Sequence, residues 1–160
     1  MKNASAINAR NLVRVVLGAL LCWAALSKLA NITEFFGDTL AYRLPLPDGS
    51  LRLVAIVLPW LELLCGLMLL ANFQARAALG WSAALFAVFA IVTGQAWARG
   101  LSISCGCLDL SLFGLDSHGA VGKFLESVAF AFFRALVLLA AAIWLWAESV
   151  AGEDTVPSQA

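Results

Sequence analysis

The sequence predicts an all-α integral membrane protein, a bundle of four membrane-spanning helices. Composition is the first reason: 62% of the 160 residues are hydrophobic and only 12% are charged, where a soluble domain carries about a quarter charged residues. The second is length. Four apolar runs, at about 12–30, 52–72, 77–98 and 126–147, each approach the ~20 residues that cross a hydrocarbon core of about 30 Å. The third is economy. The runs and their short connections fill residues 1–148 and leave only a polar tail, 149–160, expected to be disordered. A net charge of zero offers no basic face to nucleic acid, and the single histidine, His118, argues against a His-rich metal site.

The first run follows Lys2, Arg10 and Arg14 and could be taken for a signal peptide. Its apolar stretch is long, however, and no small-x-small cleavage site follows it. Leu21 is also bulky where a lipoprotein signal has a small residue before its cysteine, here Cys22. The run therefore reads as an uncleaved helix. Next, Asn31-Ile32-Thr33-Glu34 has the form of a capping box. It predicts a short amphipathic helix through Tyr42, with Phe35, Phe36 and Leu40 on its apolar side, suited to the membrane interface or the mouth of the bundle. Pro45, Pro47 and Asp48-Gly49 turn the chain. The second run carries Pro59, predicted to bend it or loosen its hydrogen bonding. Asn72-Phe73-Gln74-Ala75 reads as a tight turn, so the second and third spans form an antiparallel hairpin. Trp81 and Trp97 mark the ends of the third span as interfacial anchors, and Trp144, Trp146 and Glu148 close the fourth.

Four spans put both termini on one side and segments 31–51 and 99–125 on the other. Lys2, Arg10, Arg14 and Arg76 stand against Arg43, Arg52, Arg99 and Lys123, a near tie. The leading flank of the first helix weighs most, and it holds three of these charges. The prediction is a multi-pass protein of the cell (inner) membrane with both termini cytoplasmic. Segment 99–125 is then extracytoplasmic, where disulfides persist.

That segment contains Cys105-Gly106-Cys107. A disulfide there would close a very small ring, using the backbone freedom of Gly106. Disulfides far from relaxed geometry reduce easily, so redox exchange is the leading reading. An inert disulfide, a free pair, or a copper or zinc relay on soft thiolates stands beside it. Glu62 lies deep in the second span, one turn after Pro59. An ionisable group there is costly and normally faces a partner inside the bundle. Lys28, near the end of the first span, is a candidate partner. Arg134 is another, about two turns into the fourth span, with a guanidinium able to reach outward to the cysteine segment. These charges either tune the thiols or simply fix helix packing. Cys22 and Cys65 read as small core residues, with a second buried dithiol as the alternative. His118 reads as a plain loop histidine rather than an acid–base partner of a thiol.

Several scattered residues form a set: Lys28-Leu29, Phe35-Phe36, Tyr42-Arg43-Leu44-Pro45, Leu58-Pro59-Trp60-Leu61-Glu62-Leu63-Leu64-Cys65-Gly66 and Ser104-Cys105-Gly106-Cys107. Over roughly residues 10–147 the chain resembles the methylamine utilisation MauE family, within a broader DoxX-like group of small four-helix membrane proteins. The resemblance implies thiol–disulfide traffic at the outer membrane face. It also implies an exported thioredoxin-like partner and an exported, disulfide-rich client enzyme of the methylamine dehydrogenase type. It assigns no metal, and a quinone enters only by analogy with DoxX proteins of quinone-reducing complexes. A non-catalytic scaffold subunit is the remaining alternative. Where relatives often continue Cys-Gly-Cys-Phe-Gly, this chain has Leu108-Asp109. Asp109 disfavours a neighbouring thiolate unless Arg99, Lys123 or Arg134 offsets it.

Overall fold

The computed structural model describes residues 2–43, 47–101 and 127–151, all of its regular structure being helical. α1 (Lys2–Ala30), α3 (Asp48–Leu70), α4 (Ala75–Ala98) and α5 (Val128–Ala151) are long, and α2 (Ile32–Ala41) is short. Each long helix holds a stretch long and apolar enough to cross a membrane: Asn8–Ala30, Gly49–Leu70, Ala75–Ala98 and Val128–Val150. The chain is a multi-pass membrane protein. Large apolar side chains such as Leu53, Ile91 and Val137 face outward, as lipid contact requires. α1 and α5 extend beyond their apolar runs because Ala-containing flanks continue a helix at little cost.

The bundle is built from two close pairs, α1 on α3 and α4 on α5, which meet each other more lightly. The turn after α3 is as tight as the sequence predicts, with left-handed Asn72 and Gln74 and a 3.0 Å bond from the Phe73 N–H to the Met68 carbonyl. Yet α3 packs less on α4 than on α1. Small residues decide this, because without a solvophobic drive membrane helices associate where backbones can approach. At the α1–α3 seam, a Cβ on Gly66 would lie 2.7 Å from Cys22 Sγ and 2.9 Å from the Gly18 carbonyl oxygen. Across the other pair, Ala78, Ala90 and Ala96 of α4 and Ala131, Ala135 and Ala142 of α5 are buried.

Two local expectations change. Asn31 makes no side-chain capping hydrogen bond. It is the single residue between α1 and α2, and its φ of −127° and ψ of 59° fall short of the extended geometry a cap uses. On α2 the buried residue is Thr39, whose hydroxyl donates to the Phe35 carbonyl at 2.8 Å, while Leu40 is exposed. Pro59 lies buried inside an α3 that remains one helix from Asp48 to Leu70.

Two apolar clusters hold the bundle. One joins Leu17 and Leu21 to Leu69, Leu79, Ala142 and Leu145. The other joins Tyr42, Ala96, Val128 and Ala131, and so gathers the end of α2, the end of α4 and the start of α5. Leu101 and Val128, on either side of residues 102–126, both pack in this second cluster.

Candidate functional site

Helical periodicity places two charges inside. Ala55, Pro59, Glu62, Gly66 and Leu69 recur at three- and four-residue spacing and form the buried stripe of α3. Leu21, Ala25 and Lys28 do the same on α1. Where the stripes meet, Lys28 Nζ donates to Glu62 Oε1 at 2.6 Å and Oε2 at 2.7 Å. The two residues are 3% and 7% exposed. The ammonium also stands 5.3 Å from the Phe35 ring centre and 5.7 Å from that of Phe89. One cation thus ties α1 to α2, α3 and α4. Such burial is sustainable only because the charges are matched.

The pair forms one wall of a cavity of about 90 Å³. Its other walls are mainly apolar, with Trp23 and Leu20 from α1, Phe86 and Phe89 from α4, and Ala135 and Leu138 from α5. Arg134 lines the same cavity, so the structure brings Lys28, Glu62 and Arg134 together around one space. Arg134 has no hydrogen-bond or ion-pair partner among the described residues. Arg134, whose guanidinium the sequence reads as able to reach outward, is half-buried and lines the cavity. The aromatic wall itself was not foreseen. Phe86 and Phe89 share a helix face at three-residue spacing, but nothing in the sequence says which seam that face meets.

Both exits of the cysteine segment are built with care. Gly100, at φ +67°, ends α4 in the left-handed conformation, and the Leu101 N–H bonds back to the Ala96 carbonyl at 3.1 Å. This is the six-to-one bond of a Schellman cap, with Leu101 packed against the apolar cluster. Arg99 donates to the Arg43 carbonyl at 3.3 Å and ties this exit to the end of α2. At the return, Ser127 caps α5, its hydroxyl accepting from the Phe130 N–H at 3.3 Å. Cys105 and Cys107 themselves, with Asp109, His118 and Lys123, lie outside the described residues.

Cys22 and Cys65 are free thiols: Cys22 lies on the α1–α3 seam beside Gly66, and Cys65 is buried in the apolar cluster. At the opposite end of the bundle Arg10 pairs with Glu148 at 3.4 Å, joining α1 to α5. Arg14, one turn further along α1, buries its Nε and Nη1 without a hydrogen-bond partner among the described residues, a feature that its place in a basic leader did not foretell.

The family model of methylamine utilisation protein MauE matches residues 4–147. The methylamine utilization protein MauE of Paracoccus denitrificans is 40% identical over 96 residues, covering 59% of this chain and 51% of the relative. That of Methylorubrum extorquens is 41% identical over 96 residues, with the same coverage. The protein of that name from Methylophilus methylotrophus is 38% identical over 90 residues, 56% of this chain and 47% of the relative. The chain thus spans about half the length of these curated relatives. No solved structure matches it.

Proposed function

The chain belongs to the MauE family, and from that premise we propose that it is a membrane component of methylamine utilisation that passes disulfides at the outer face of the cell membrane. Both termini are cytoplasmic in this reading. The outward Cys105-Cys107 pair serves an exported thioredoxin-like protein and, through it, an exported client enzyme of the methylamine dehydrogenase type. The observation that carries the reading is positional. Arg134 lies about two turns from the start of α5, where the chain returns from the Cys105-Gly106-Cys107 segment, and it lines one cavity with the buried Lys28–Glu62 pair.

A partner thiolate attacks one sulfur of the Cys105–Cys107 disulfide and displaces the other as a thiolate. The second partner thiol, once deprotonated, resolves the mixed disulfide. The partner loses two electrons and two protons, and the pair ends as two thiols. Lys28, Glu62 and Arg134 together carry one net positive charge, which favours thiolate at the segment's foot and offsets Asp109. They act as positioning and tuning charges. Re-oxidation needs a two-electron, two-proton acceptor, for which the family analogy offers a quinone.

Thiol trapping in intact cells tests this. A bulky, membrane-impermeant maleimide should label Cys105 and Cys107 only after mild reduction, and Cys107→Ser should trap a mixed disulfide with the exported partner. Labelling without reduction, together with metal content that follows both cysteines, would replace exchange with a copper or zinc relay. Full function in the double Cys105→Ser, Cys107→Ser variant would leave a scaffold role. Labelling only after permeabilisation would reverse the topology and end the outer-face mechanism.

A further inference from the structure

Among the described residues, the walls of the charged cavity carry a charge that they do not balance. Lys28 and Glu62 neutralise each other through two short hydrogen bonds. Arg134 remains, a cation on a largely apolar cavity with no partner among the described residues. A lone cation within a membrane span costs a few kcal/mol, and one anionic group placed against it would remove that cost.

Size and access narrow the ligand. About 90 Å³ equals roughly three waters at their liquid volume of ~30 Å³ each. That space takes a carboxylate or one face of a phosphate with the first methylenes behind it, and not a whole lipid. The rest of the molecule must leave through an opening. α1 and α5 touch only lightly, and Leu20 lines the cavity while being 40% exposed. The mouth therefore opens on the outer surface of α1, which hydrocarbon covers in a membrane. Trp23, Phe86 and Leu138 supply an apolar path from the head-group position.

We propose that the cavity between the α1–α3 and α4–α5 pairs is a binding site for a singly anionic amphiphile, its head group against Arg134 and its chain leaving past Leu20 into the bilayer. The source is a free fatty carboxylate or an anionic phospholipid, which share this chemistry. The inference is independent of thiol exchange, since it uses no cysteine.

Brominated chains quench tryptophan fluorescence on contact, and Trp23 stands on the cavity wall. The full chain in phosphatidylcholine nanodiscs is titrated with dibromostearate and with dibromostearyl alcohol, the same chain without the charge. The expected result is saturable quenching by the acid at concentrations about tenfold lower than for the alcohol, the discrimination one charge-assisted contact gives. Trp23→Phe should remove the saturable component. Arg134→Gln should erase the preference for the acid, and Arg134→Lys should keep it. Dibrominated phosphatidylglycerol matching the acid would identify the phospholipid as source, and its failure would identify the free carboxylate. Equal quenching by acid and alcohol in the unmodified protein would overturn the proposal without reference to any variant. So would an unchanged preference in Arg134→Gln. Survival of acid binding in the double Cys105→Ser, Cys107→Ser variant separates the site from the exchange reaction.

Discussion

Removing one partner of the Lys28–Glu62 pair should destabilise the bundle far more than removing both. At a separation of 2.6–2.7 Å and an effective dielectric of ~20, two unit charges attract by about 6 kcal/mol. Desolvation takes back several kcal/mol per ion, so the intact pair contributes little net stability. A single truncation keeps the desolvation and loses the attraction, at a cost of about 3–5 kcal/mol. Lys28→Met strands a carboxylate, and Glu62→Leu strands an ammonium that keeps only the rings of Phe35 and Phe89. The double variant replaces the pair with apolar volume and should lie within about 1 kcal/mol of the original, or be more stable. Unfolding in dodecyl sulfate mixed micelles, followed by circular dichroism, gives the four stabilities of the cycle. The expected coupling energy is at least about 3 kcal/mol. Additivity within ~0.5 kcal/mol would show that the two charges do not sense each other and would refute the reasoning.

Gly66→Ala should loosen the α1–α3 pair by about 1–3 kcal/mol, since the new methyl meets backbone atoms of Cys22 and Gly18 that have nowhere to go; the same unfolding titration reads it. Asp38 gives a pH dependence: burial, reinforced by the Glu34 carboxylate one turn earlier, pushes its carboxyl up to about 6 from an ordinary 3.8. The folded state holds this proton more tightly than the unfolded one, so its contribution is most favourable below the ordinary value and is lost as pH rises through about 6. A thermal melt series should show that decline, and Asp38→Asn should flatten it. Arg10→Ala should cost less than about 1 kcal/mol, because its pairing with Glu148 is half exposed.

The two kinds of information in this chain were unequally legible, for physical reasons. Span positions follow from local composition, so the four apolar runs announce themselves wherever they fall. Pairing of spans does not: Asn72 to Ala75 marks a turn, but only the facing of Gly18 and Gly66 makes α3 prefer α1 over its hairpin neighbour α4. Glu62 was conspicuous as a charge in an apolar run, with Lys28 and Arg134 as candidate partners, and the buried stripes of α1 and α3 select Lys28. Arg134 was conspicuous too, but its destination was not, since a long guanidinium can turn either along its helix or across a seam. The capping-box pattern at Asn31 misled because two helices share that one residue, and tertiary placement overrides the local cap.

These same differences bear on mechanism. The redox reading rests on a tripeptide whose chemistry is plain from its residues, whereas the cavity rests on four helices that no short window contains. If the cavity tunes the thiols, substitutions there should shift thiol reactivity without abolishing exchange. The double Lys28→Met, Glu62→Leu variant is the sharpest case, because it removes both charges while leaving a folded bundle. A change in the pH profile of maleimide labelling at Cys105 and Cys107 would tie cavity to thiols. An identical profile would confine Lys28 and Glu62 to holding the helices together.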